Sequence, residues 1–220
     1  MGTATIAVFR TQKMAQNDSI ADEKVFKYVS DMFSDVGHNI QTVQTYATPN
    51  PPTEAIFSTI TDTVCGNRQK TYNGLLEWWY DYHRCNNLRE AADANLLLTN
   101  ASSLSGEGYI GGNLSVAAGA QISNLPLDKP ARENSQDNPR HNAMHVAVHE
   151  AGHNFGLYHK DGYVWKNSPK FTVSPMMSGY AYELDGENNN CNNRLSNVDY
   201  SMDRHLGFNW TNCATNHMNL

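Results

Sequence analysis

His149-Glu150-Ala151-Gly152-His153-Asn154-Phe155-Gly156-Leu157-Tyr158-His159 is the stretch on which the reading of this 220-residue chain turns. After Pro139 the pattern predicts a helix over His141–Phe155. On that helix His149 and His153 stand four apart, with Cβ atoms about 6 Å from each other on one face. A ring nitrogen of each then reaches a single zinc ion at about 2.0–2.1 Å. Glu150 leans off the same face, near a water on such an ion. Gly156 permits a left-handed backbone, so the helix ends and His159 swings back as a third ligand. Three protein ligands leave an open coordination position, which marks a catalytic rather than a structural zinc. The ion lowers the pKa of water towards about 7 and polarises a carbonyl. Glu150 takes the water's proton and passes it to the leaving amine. The expected reaction is peptide-bond hydrolysis. A helix with incidental surface histidines is the alternative, but five fixed positions arise by chance only on the order of 10⁻⁵ to 10⁻⁴ times per chain of this length.

His141, His145, His149 and His153 form a continuous series four residues apart. His145 and His153 lie two turns apart, roughly 12 Å along the axis, too far to share one ion with His149. The series also drifts by about 40° per step, which carries His141 away from the site. His145 therefore reads as a buried, satisfied histidine and His141 as surface.

Outward from the motif, composition narrows the class. Sixteen basic residues face 22 acidic ones, a formal charge of −6, with 17% charged and 40% hydrophobic residues. Those proportions exclude a disordered polyelectrolyte. No basic run is present to meet phosphates, so nucleic acid is not an expected partner. No apolar stretch reaches the roughly 18 residues of a membrane span. Cys65, Cys85, Cys191 and Cys213, without CxxC spacing, suit two disulfides better than a thiolate metal site. Three pairings exist; Cys65–Cys85 with Cys191–Cys213 closes the shortest loops, and four free thiols are the alternative. Met1–Arg10 lacks the layout of a signal peptide and reads directly as a strand, as expected of a mature form without its leader. Sequons at Asn17, Asn100, Asn113 and Asn209 and the paired cysteines give a secreted protein as the expectation.

The rest of the chain reads as alternating strands and helices. Thr3–Phe9 is a first strand, Ser19–Val36 an amphipathic helix stopped by Gly37, and Asn39–Tyr46 a second strand. Pro51-Pro52 opens a helix towards Val64. Leu75, Leu76, Trp78, Trp79 and Tyr82 mark another helix whose aromatics belong to the core. Leu96–Thr99 is a buried strand, Gly108–Ser115 a glycine-punctuated one, and Val116–Ile122 a third. Lys166–Asn193 reads as irregular chain, and Ser196–Leu206 as a last short helix stopped by Gly207.

With Met177 in Ser174-Pro175-Met176-Met177-Ser178, the long histidine motif resembles that of the metzincin zinc peptidases. Ala94–Thr99, then Gly108-Tyr109-Ile110-Gly111-Gly112, then the histidine helix resemble the adamalysin (reprolysin) branch in order and spacing. Two departures mark a divergent member: Lys160 precedes Asp161 where the branch places Asp directly after the third histidine, and Ser174-Pro175-Met176 replaces the usual Cys and Ile. The resemblance implies an α+β fold, with a mixed twisted sheet and packed helices in an upper part and a small loop-rich lower part with a C-terminal helix. It implies one catalytic domain, 1–220, divided into 1–156 and 157–220. By the same resemblance, zinc sits on His149, His153 and His159, with Glu150 as general base and acid and Met177 (rather than Met176) as the floor beneath. Gly108–Ser115 becomes the sheet edge that takes an extended peptide by strand addition, and Ser178–Leu184 shapes the pocket beyond the scissile bond. Tyr180 follows Met177 by three residues where related groups have two, so its approach to the metal stays open. Asp185 and Glu187 form either a Ca²⁺ site or a solvated polar loop. The chain is expected to act as a monomeric zinc endopeptidase; the competing class is a catalytically silent binding protein on the same scaffold.

Overall fold

In the computed structural model, which describes residues 3–66, 68–88, 92–128, 131–135, 137–167, 169–177, 191 and 202–220, the first strand is β1 (Ala4–Arg10). Its alternate residues face two cores: Ile6 and Val8 lie in one, Ala7 and Phe9 in the other. After α1 (Gln12–Asn17) and α2 (Ala21–Asp35) the chain forms β2 (Ile40–Thr42), parallel to β1. A hairpin of β3 (Ile60–Asp62) and β4 (Lys70–Tyr72) leads into α3 (Leu75–Cys85). Then β5 (Ala94–Thr99) pairs parallel to β1, with Val8 opposite Leu96. Next come β6 (Gly106–Gly108) and β7 (Leu114–Ala118); β7 is parallel to β5 and antiparallel to β6. The five-stranded order is β2-β1-β5-β7-β6, so β6 is an edge.

Burial on both faces explains the unbroken apolar run of β5. Leu96 and Leu98 meet α2 and the core beneath the sheet, whereas Leu97 meets Trp78 and Trp79 of α3 on the other side.

A 3₁₀ turn (Ala120–Asn124) and β8 (Glu133–Ser135) precede α4 (Pro139–Asn154). Asn138 caps α4, accepting from the Arg140 N–H, and Pro139 occupies its first turn. A second 3₁₀ turn (His159–Asp161) is followed by β9 (Val164–Asn167), β10 (Lys170–Val173), β11 (Asp203–Gly207) and α5 (Asn212–Thr215). Strands β8 to β11 make a second sheet, ordered β8-β11-β10-β9, over a small cluster of Val164, Phe171, Val173, Met177 and Leu206. Disulfides Cys65–Cys85 and Cys191–Cys213 are both formed.

The α+β fold and mixed sheet stand as expected, while six local readings are corrected. Pro51–Val64 is not a helix: Ala55 N–H turns back to the Thr53 hydroxyl, Ile56 plugs the α3 core, and Ile60–Asp62 is strand. Of Asn39–Tyr46 only Ile40–Thr42 is strand, although Val43 N–H still bonds to Ile6 O at 2.8 Å. Gly108–Ser115 is split by a turn, with Gly111 at φ +68°, and Val116–Ile122 divides between β7 and the 3₁₀ turn. Lys166–Asn193 contains strand residues of β9 and β10, each only four residues long and ordered by their pairing. Asp203–Leu206 is strand where a helix was expected, because it pairs parallel with β10; 192–201 lie outside the described residues.

Candidate metal centre and cleft

Helix α4 carries two of the three motif histidines past the sheet, and its last turn is fastened there. The Asn154 amide donates to Leu114 O at 2.9 Å and accepts from the Ser115 hydroxyl at 2.7 Å. Gly111 N–H, in the turn after β6, bonds to His153 O at 3.0 Å. Gly156, at φ +90°, ends the helix as expected, and the chain returns so that His159 stands opposite. Ring centroids of His149 and His153 are 4.6 Å apart, those of His149 and His159 5.1 Å, and those of His153 and His159 5.0 Å. One ring nitrogen from each lies within 4.8 Å of the others.

Two backbone carbonyls select which nitrogen is presented. His149 Nδ1 lies 2.6 Å from Pro175 O and His153 Nδ1 2.8 Å from Leu157 O. A carbonyl only accepts, so each Nδ1 carries the proton and each Nε2 keeps its lone pair free. Burial keeps all three rings neutral: His149 is pulled down to about 3 by desolvation and the neighbouring His153, and His153 and His159 are also lowered, chiefly by desolvation. Neutral imidazoles converging through lone pairs fit a zinc ion, whose ligands must be deprotonated.

Beside them Glu150 is buried under β6. Desolvation, with the charge of Glu107 behind it, pushes its carboxyl up to about 8, near the range suited to proton transfer at neutral pH. A cleft of about 610 Å³ holds all of these groups. Its rim includes the exposed apolar side chains of Phe57, Leu104 and Ile110. Met177 lines it and Met176 does not: Met176 packs into the main core while Met177 lies in the small cluster of the second sheet.

The turn bearing His159 is held from the far end of the chain. Asp161, 1% exposed, accepts from Tyr158 N–H at 2.7 Å and lies 2.8 Å from His217 Nδ1. Asn219 N–H donates to Phe155 O at 2.9 Å, under Gly156. Thus Asp161, two places after the third histidine, locks that turn.

His145 is buried as expected. Desolvation lowers it to about 4 despite backbone bonds to Val173 and Gly207, and its ring lies 5.6 Å from that of Phe208. His141, read as surface, is instead half-buried, 3.5 Å from the Asn134 amide. Tyr180, Ser178–Leu184, Asp185 and Glu187 lie outside the described residues. Sequence reasoning missed Asn154, Asp161 and the carbonyls of Leu157 and Pro175. The uncharged polar Asn154 directly after His153 was an available signal; carbonyls leave none.

The model for Metallo-peptidase family M12B Reprolysin-like matches residues 23–160, a span that includes Glu150 and all three motif histidines. No curated protein matches the chain.

Proposed function

The chain belongs to the reprolysin-like M12B metallopeptidases, and from that premise we propose that it is a zinc-dependent endopeptidase that cuts extended segments of protein substrates. The observation that carries the reading is the meeting of three neutral imidazole nitrogens within 4.8 Å of one another, in an open cleft that also holds a buried carboxyl. His149, His153 and His159 would hold the ion. When bound, zinc supplies Lewis-acid polarisation of the scissile carbonyl and a more acidic water.

The chain's own groups do the remainder. Pro175 O and Leu157 O orient His149 and His153. Glu150 accepts a proton from the attacking water on its carboxylate and delivers it to the leaving amine nitrogen. The free edge of β6 offers backbone groups to an extended peptide, and Met177 closes the floor. We read residues 1–220 as one catalytic domain acting as a monomer. The two disulfides support an oxidising, extracellular setting.

Casein digestion by zinc-loaded protein tests the proposal. Glu150→Ala is expected to keep one zinc per chain and to lose about 10²–10⁴-fold in rate, the span of general acid–base catalysis. Undiminished cleavage by that variant, or by rigorously metal-free protein, refutes the mechanism. No cleavage by the zinc-loaded wild type would favour the silent binding protein.

A further inference from the structure

Two glycines in β6 are explained neither by their backbone nor by the turn that follows. Gly106 and Gly108 have ordinary φ angles, unlike Gly111, so any side chain is conformationally allowed there. Space is what forbids one. A Cβ on Gly106 would lie 2.5 Å from Glu150 Cγ, 2.8 Å from its Oε1 and 2.9 Å from its Cδ. A Cβ on Gly108 would lie 3.0 Å from Glu150 Oε2, 3.2 Å from Glu150 O and 3.2 Å from Ser115 Cβ. Being two apart, the glycines share one face of the strand. Glu107 between them, opposite Val116 in register, belongs to the other face. Around Gly111, by contrast, nothing lies within 4 Å of an added Cβ.

The carboxylate has no other fixing. Among the described residues no hydrogen bond or ion pair reaches it, although Glu150 is only 6% exposed. Neither wall of the space retreats easily: Asn154 ties α4 to β7, and Gly111 N–H ties the turn after β6 to His153 O.

We propose that Gly106 and Gly108 are positioning residues whose bare backbone forms a slot for the Glu150 side chain, holding its carboxylate towards the three histidines by shape alone. This rests on the role given to Glu150 above. A methyl on residue 106 pushes Cγ aside by roughly 1 Å, a displacement that costs on the order of 100-fold in a positioned reaction.

The test combines kinetics with a stability cycle. Gly106→Ala is expected to lower kcat about 100-fold, with KM little changed and one zinc retained; Gly108→Ala, with its looser contacts, lowers kcat about 10-fold. In parallel, Gly106→Ala lowers Tm in the wild-type background but leaves it unchanged or raised in Glu150→Ala, where the obstructing atoms are gone. If Gly106→Ala alone fails to fold, folding of the double variant supports the slot and its failure overturns it. Equal loss of Tm in both backgrounds, or wild-type kcat in Gly106→Ala, overturns the proposal. The stability cycle reads no activity, so an inactive wild type would refute the peptidase reading while the cycle still decides the slot.

Discussion

In the first sheet Leu96, Leu97 and Leu98 are wholly buried, two facing one core and one facing the other. In the second sheet β8 is half-exposed along its length and β11 begins at exposed Asp203. The first is held by apolar burial on both faces, and its packing fixes α4. Among the described residues the second covers a cluster of five buried apolar side chains, and Cys191–Cys213 ties down the chain beside it. The candidate metal centre straddles the two: α4 brings His149, His153 and Glu150, while the chain beyond brings His159, Pro175 O and Met177. One half carries two of the clustered histidines, and the other completes the cluster.

The sharpest way to break this comparison is to remove one proposed ligand from each side. His159→Ala is expected to weaken zinc binding more than 100-fold, beyond the range seen for second-shell changes, just as His153→Ala does. Retained affinity in His159→Ala, measured by competition with a chelator, would mean that α4 suffices alone. Next in size is Lys24→Met. Lys24 pairs with Asp18 at 2.7 Å, with both side chains under a tenth exposed, and its loss strands a buried carboxylate at a cost of about 3–5 kcal/mol in urea unfolding.

The two disulfides separate the halves directly. Each closes a loop of similar length, with sequence separations of 20 and 22, worth about 3 kcal/mol apiece by chain entropy. Replacing Cys191 and Cys213 by Ala is expected to weaken zinc binding as well, because Cys191 Sγ lies 3.9 Å from Asp161 O in the His159 turn. Replacing Cys65 and Cys85 is expected to cost stability alone. Equal zinc loss in both pairs would erase the distinction.

His145 joins the halves, standing on α4 beside the backbone of Val173 in β10 and Gly207 in β11. Its pKa in the fold is about 4, below the ordinary 6.5, so the unfolded chain takes up the proton first. Stability is full above pH 6.5 and falls as pH drops towards 4, by about 3 kcal/mol in all. A His145→Phe variant should flatten that limb in acid unfolding; an unchanged slope would assign it elsewhere. The smallest effect expected is Arg132→Ala. Its pair with Asp35 is half-exposed, and its removal should cost under about 1 kcal/mol.

Legibility in the sequence followed the same division. The motif helix, the buried strand at Leu96–Thr99, the α2 face and both cysteine pairs were readable, because each rests on local periodicity or short loops. The strands β9, β10 and β11 were not: Lys170–Val173 is shaped by partners 33 residues downstream in register, and strands of four or five residues are too short to set a periodicity apart. At the site the three converging histidines were readable and their supports were not. Carbonyls have no sequence signature, and the Asp161–His217 contact spans 56 residues.

That last contact reaches beyond catalysis. His217 and Asn219 brace the turn and helix end that present His159, so a version of this polypeptide cut short at Asn216 would lose its supports while keeping every motif residue. Producers of trimmed preparations should therefore expect a weakened grip on the ion, together with the loss of Met218 from the main core.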